Sequence, residues 1–254
     1  MKYLLLWLEA PLQSWGYDSR FDVRQTFNFP TMSGVYGILL ASSGDSGAQC
    51  ELLARMKNAD FTAISFLPKP AENQEATLQE RAKRLENHVE NSRLRDYHMV
   101  GSGYDDKDPW EKLHIPRTPK GTIAVANEGY GGTKQTYRYY LQDKKFAVVL
   151  GLEDDLAEKF AKSLQEPVYD LYLGRKCCVP TDLIYRGIFP NKEEAENEMK
   201  TVAKTKKLEP FQQFVTAEQD RFTEEDAFFI SDVPVQFGET KRYMDRCVKI
   251  VDWV

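Results

Sequence analysis

Two stretches of this chain pass from an apolar run of strand length into a helical pattern and on to a second strand, and that order limits the fold. Residues 2–9, KYLLLWLE, are apolar and read as a buried strand. An irregular passage through Pro11, Gly16 and Pro30 follows. TMSGVYGILLASSG then reads as a helix, with Thr31 or Ser33 as cap, Val35, Ile38 and Leu39 as its apolar face and Gly44 as its stop. A shorter helical stretch at 48–57 carries Leu52, Leu53 and Met56, and FTAISFL at 61–67 is a strand ended by Pro68. The pattern then recurs. KFAVVLGL at 145–152 is a strand, and DDLAEKFAKSLQ at 154–165 is an amphipathic helix. Asp154 caps it, Leu156, Phe160 and Leu164 fall four apart, and Pro167 lies beyond. Residues 181–189 are strand-like. Strand, helix, strand, excursion, strand, helix, strand is an α+β plan of the ferredoxin-like (RRM-like) kind.

The excursion between the halves is long. Residues 69–90 are charged and mixed, a loop or an exposed helix; from about Leu94 to Tyr140 no periodicity holds, and Gly, Pro, Asp and aromatics are frequent. A plain loop of that length is unusual in a compact domain, so this part reads as an extended hairpin or a functional excursion. Residues 190–254 begin with a charged stretch to Leu208 and continue in short β-like runs.

With 254 residues, 42% of them hydrophobic and 29% charged, the chain can bury a real core in one large domain or two modest ones. No run of 18 apolar residues suggests a membrane span, and the opening residues read as a strand rather than a signal peptide. Four cysteines without framework spacing point to a reducing cytoplasm. The net charge of −5 argues against steering the whole chain onto nucleic acid, but a local basic groove is compatible with it.

Which residues carry chemistry? His88, His98 and His114 lack metal-ligand spacing, and no phosphate-loop, zinc-protease or nucleophile-elbow motif occurs, so nothing calls for a metal or a cofactor. His98, beside Tyr97 in LRDYHMV, is the best candidate for a general base in a ribonuclease, and it also fits a polar residue at the root of a hairpin. In GTKQTYRYYLQD, a strand places Lys134, Thr136, Arg138 and Tyr140 on one face and Gln135, Tyr137 and Tyr139 on the other. Cations with a hydroxyl and an aromatic suit a single-stranded RNA; a solvated hairpin edge has the same composition. Trp15, in EAPLQSWG, is core filler or a stacking platform. In YLGRKCC, Gly174 permits a turn that presents Arg175 and Lys176 to an anion. Cys177 and Cys178 are read as small packed hydrophobes pointing opposite ways.

Several stretches together resemble the CasD family, the fifth-numbered Cas proteins, of the type I-E CRISPR complex Cascade. They are LLLWLEAPLQSWG, RQTFNFPTMSGVYGIL, LRDYHMV, TKQTYRYYLQDKKFAVVL, YLGRKCC and PVQFGETKRYMDRCVKIV, in that order along the chain. The resemblance thins at 69–93, 99–131 and 190–225. It implies one RAMP-type domain over 1–254, with a β-hairpin thumb inserted at about 92–141 and a β-rich extension at about 190–254. It implies a non-catalytic subunit that grips the 5′ handle of the CRISPR RNA. That subunit would end a filament of CasC-type backbone subunits and help dock the large target-recognition subunit, in the cytoplasm and away from membranes. The RNA-binding residues would then include Arg24, Ser33, Gly34, Tyr97, His98, Lys134, Gln135, Thr136, Arg138, Gly174, Arg175 and Lys176. Ser33 and Gly34 would offer a helix N-terminus to phosphate. Asp105, Asp106, Asp108 and Glu111 make the middle of the thumb acidic, as a protein-facing tip would be. The alternatives are a metal-independent CRISPR-repeat endoribonuclease built on His98, Tyr97 and a lysine, as in the type I-C branch, and a stand-alone RRM-like module. The second lacks the aromatic signature of that module.

Overall fold

A computed structural model of the chain describes residues 1–16, 19, 22–69, 92–100, 118–122, 134–217 and 227–253. The N-terminal part comprises β1 (Lys2–Glu9), four two-residue strands β2 (Leu12–Gln13), β3 (Trp15–Gly16), β4 (Val23–Arg24) and β5 (Thr26–Phe27), then α1 (Met32–Ser43), α2 (Cys50–Met56) and β6 (Asp60–Pro68). The middle contributes β7 (Arg93–Val100), β8 (Lys134–Gln142), β9 (Lys145–Leu152), α3 (Asp154–Gln165) and β10 (Tyr185–Phe189). α4 (Lys192–Thr205), β11 (Leu208–Thr216), β12 (Ala227–Gln236) and β13 (Arg242–Asp252) complete it. Residues 70–91 and the acidic centre of the excursion lie outside the described residues.

Seven strands form one sheet in the order β10-β1-β9-β6-β11-β13-β12, every neighbouring pair antiparallel. Both β-α-β units are split: β9 lies between β1 and β6, and β1 lies between β9 and β10. Strands buried on two faces should be apolar without alternation, and β1 and β9 are. Leu4, Leu6, Leu8, Phe146, Val148 and Leu150 face α1 and α3 in the larger core. Leu5, Trp7, Ala147 and Val149 face the other way, onto Ala195, Met199 and Ala203 of α4.

Thr31 caps α1 as expected, its hydroxyl accepting from the Gly34 N–H, and Gly44 ends the helix at φ 74°. In α3, Leu156, Phe160 and Leu164 are buried, but the capping position belongs to Glu153. Asp154 is the first helical residue, and its carboxylate meets the N-terminal amine at 2.7 Å instead. The larger correction concerns 190–208. That charged stretch is a 14-residue helix whose apolar stripe is only Ala195, Met199 and Ala203. Asn191 caps it, accepting from the Glu194 N–H at 2.9 Å, while the Glu194 side chain accepts from Asn191. The β-like runs after it are strands of nine to eleven residues that extend the first sheet. Pro210 and Pro234 sit where their ladders shift register.

One buried ion pair joins these added strands to α1. Asp232 on β12 and Arg246 on β13 are 2% and 6% exposed. Arg246 donates through Nε and Nη2 to the two oxygens of Asp232, at 2.6 and 2.9 Å, and through Nη1 to Thr216. Asp232 also accepts from the backbone N–H of Met32 at 2.8 Å, which places a carboxylate at the positive end of α1. Removing one partner strands a buried charge, which costs about 3–5 kcal/mol. Arg246→Met should therefore lower the urea midpoint sharply. Adding Asp232→Asn should recover part of the loss, because the acceptor for Met32 stays and the charge goes.

Lys144, 9% exposed, turns the chain from β8 into β9. Burial pushes its ammonium down from 10.5 to about 8. Between those values the unfolded chain holds this proton more tightly, so this group's contribution to stability rises with pH. Any gain in melting midpoint of Lys144→Met over wild type should shrink as pH climbs from about 8 to about 10. A constant difference across that interval would contradict the burial assignment. The comparison with wild type matters because buried tyrosines such as Tyr36, whose hydroxyl burial pushes up, act in the opposite sense in alkali.

Candidate nucleic-acid interface

The site begins where β1 ends. Gln13 is buried, and its amide donates to the carbonyls of Leu8 and Lys144 while its oxygen accepts from the Trp15 indole at 3.1 Å. Trp15 is fully buried, which settles it as core, and its backbone N–H donates to Thr26 at 2.8 Å. Its ring lies on the first turn of α1. A Cβ at Gly34 would come within 2.8 Å of Trp15 Cε3, so Gly34 makes room for an indole. The anion at this helix N-terminus is the chain's own Asp232, and Gly34 gives its N–H to Thr31.

Ser14 carries the contact outward. Its N–H donates to the carbonyl of Leu173, and a Cβ at Gly174 would lie 1.8 Å from the Ser14 carbonyl oxygen. Gly174 also has φ +105°. Two independent constraints, steric and conformational, therefore demand glycine. They press the 173–178 loop against Ser14, between β2 and β3. The Cys178 N–H closes a turn onto the carbonyl of Arg175, and the Leu173 N–H bonds the carbonyl of Cys178.

Within this turn Arg175 is held from several sides. Its Nη1 donates to the carbonyl of Tyr139 and its Nη2 to that of Arg24, both at 3.2 Å, and its guanidinium lies 4.5 Å from the Tyr140 ring centre. β4 pairs with β8 in parallel, with Arg24 opposite Arg138. The structure thus brings Arg24, Arg138, Gly174, Arg175 and Lys176 to one place, from three separated parts of the sequence. Lys176 is exposed beside the buttressed Arg175.

Of the two cysteines, Cys178 is packed as expected and Cys177 is not. They lie in a turn, so strand alternation does not govern them. Cys178 is buried, and burial pushes its thiol up to about 11. Cys177 is exposed, with its sulfur 3.5 Å from the Tyr140 hydroxyl.

β7 and β8 form an antiparallel ladder from Arg93↔Leu141 to Val100↔Lys134, the root of the excursion. Alternation puts Tyr97 and His98 on opposite faces. His98 Nδ1 is 3.5 Å from the Thr136 hydroxyl, while the Tyr97 ring packs on Tyr137. The face expected to be cationic turns inward at Thr136 and Tyr140, which are buried. The side chain of Lys134 lies outside the described residues. Gln135 is exposed on the other face. Tyr137 stands there as the alternation predicted, joined by Arg95, which the sequence did not single out, with the Arg95 guanidinium 4.6 Å from the Tyr137 ring centre. The signal for Arg95 was present as the alternation of Arg95, Tyr97 and Met99, but only the register across to β8 makes it a cluster.

Split β-α-β units carrying an arginine-rich turn and a long excursion define the class of protein to which this chain belongs. The chain matches the family model described as CRISPR-associated protein (Cas_Cas5) over residues 3–243, and it belongs to that family. It is 29% identical over 193 residues to the CRISPR system Cascade subunit CasD of Escherichia coli strain K12, covering 73% of this chain and 70% of the relative. A chain of a solved CRISPR RNA-guided surveillance complex has the same fold, with a TM-score of 0.66 at 22% identity over 98% of this chain and 89% of the other. So does a crystal structure of a Cas protein, with a TM-score of 0.56 at 22% identity over 98% and 94% of the two chains.

Gly174→Ala tests the loop directly. A side chain there meets both an unfavourable φ, worth about 1–3 kcal/mol, and a backbone oxygen that cannot withdraw without β2 and β3. The expected loss exceeds about 3 kcal/mol of unfolding free energy. A melting midpoint within error of wild type would show that the loop does not seat against Ser14.

Proposed function

We propose that this chain is the non-catalytic, RNA-gripping subunit of a type I CRISPR surveillance complex. It takes the place there that CasD holds in Escherichia coli Cascade. In this reading β1, β6, β9 and β10 with α1 and α3 are a ferredoxin-like domain, and β7–β8 is the root of a thumb. The 5′ handle of the CRISPR RNA lies along the arginine-rich turn. CasC-type backbone subunits and the large target-recognition subunit cover other faces.

The observation that carries the reading is the convergence of Arg24, Arg138, Arg175 and Lys176 in a chain whose net charge is −5. Arg175 spends two donors on carbonyls and one face on Tyr140, so it mainly sets the turn. Lys176, exposed, takes phosphate. Arg138 reaches the same RNA from β8. The acidic remainder of the surface discourages indiscriminate nucleic-acid binding and suits basic protein neighbours.

The endoribonuclease alternative asks Tyr97 and His98 to work as a pair. Neighbours on one strand point apart, so each would need a partner from elsewhere. The non-catalytic role therefore fits better.

The test is RNA retention against salt in the complex co-expressed with its other subunits and a CRISPR RNA. Lys176→Ala should lower the log–log salt slope by about 0.7, and Lys176→Ala with Arg138→Ala by about 1.4. An unaltered slope in the double variant would remove this turn from the RNA. In parallel, the wild-type chain should leave its repeat RNA intact. A single specific cut that disappears in His98→Ala would replace this reading with the nuclease.

A further inference from the structure

We propose that the outward face of the β7–β8 pair is a stacking platform for unpaired nucleobases, with Arg93 and Arg95 neutralising the adjoining phosphates. This rests on the RNA-gripping reading and adds to it the residues that hold base faces rather than backbone.

On β7 the outward residues are Arg93, Arg95, Tyr97 and Met99, all exposed; Tyr97 is 47% exposed. Across the ladder stand Tyr139 opposite Arg95, Tyr137 opposite Tyr97 and Gln135 opposite Met99. Directly opposed residues share a face, so these seven form one surface. Its centre is already organised as a stack. The Tyr97 and Tyr137 ring centres are 5.5 Å apart, tilted 44°, and the Arg95 guanidinium sits 4.6 Å from Tyr137. A large aromatic held in place yet half exposed has lost most of the entropy that binding would cost it.

Charge decides the occupant. β7 and β8 hold one carboxylate between them, Asp96, and alternation sends it to the opposite face. Arg93 is fixed by donating to the neutral Asn28 oxygen at 2.9 and 3.1 Å, which leaves its charge uncompensated by that bond. The surface therefore offers π faces flanked by positive charge, the combination that holds single-stranded RNA with little regard to base identity. The turn meets the same strand from its other face, where the Arg175 guanidinium stacks on Tyr140 while bonding the backbone carbonyl of Tyr139.

The experiment uses the full chain and oligouridylates carrying one 2-aminopurine at successive positions. At one or two positions, binding should quench the fluorophore several-fold. Tyr97→Leu and Tyr137→Leu should each abolish the quench and weaken binding roughly tenfold or more. They should leave the salt slope unaltered, because stacking releases no counterions. Arg95→Gln should weaken the quench and lower the slope by about 0.7. Tyr97→Phe should behave as wild type, and unfolding midpoints of the leucine variants exclude a merely misfolded hairpin. A quench that survives both leucine substitutions overturns the platform. So does salt-dependent RNA binding with no quench in the wild type, an outcome that assigns this face to a protein neighbour while sparing the phosphate-gripping turn. A chain that binds no RNA at any salt, alone or assembled, overturns both.

Discussion

The pair of Asp232 and Arg246 is the constraint on which the rest depends. A charge pair this deeply buried is not a cheap source of stability, because two ions must leave water. Its effect is to define positions. Asp232 has one place where it can satisfy Arg246 and the first N–H of α1 together. Arg246 also lies over the ring of Phe61 on β6 and bonds Thr216 on β11. Four strands and one helix are thereby indexed to one another. α1, so fixed, presents Gly34 to Trp15, and Trp15 sets the path of Ser14.

From Ser14 the indexing passes to β8 and the strands β4 and β7 that pair with it. Gly174 accepts the carbonyl of Ser14 at a distance that no side chain permits, and Arg175 then spans to Arg24 and Tyr139. The arginine-rich turn is placed by backbone contacts, with few long side chains to order. Pre-positioned cations lose less freedom when they meet an anion than cations on a mobile loop do. Few residues then suffice to present local positive charge on a chain whose net charge is −5.

Much of this was legible in the sequence, for physical reasons. β1, β6, β9 and the helices α1 and α3 announce themselves because burial leaves a periodic apolar record. α4 did not, because its buried stripe is two alanines and one methionine among charges; the one clear sign was Asn191 three residues before Glu194. Asp232 and Arg246 could not be paired by reading, since a buried salt bridge has no periodicity and its partners look like surface charges. Cys177 was read as packed, but the turn carries it to the surface while Cys178 is buried. The pairing of Arg95 with Tyr137 was overlooked because 42 residues separate them and only the ladder register makes them neighbours.

The placement of β11, β13 and β12 has a consequence for biogenesis. β6 is synthesised early, yet its partner on one side, β11, begins at Leu208, and the carboxylate for α1 arrives only with Asp232. During translation the first strands and helices can assemble while β6 shows an open edge and α1 an unfilled N-terminus. At about 5–20 residues per second that interval lasts on the order of ten seconds. An open strand edge is a template for pairing with other chains. Closure of the sheet is thus a late event: β11 covers the edge of β6, and Asp232 on β12 then fills the N-terminus of α1.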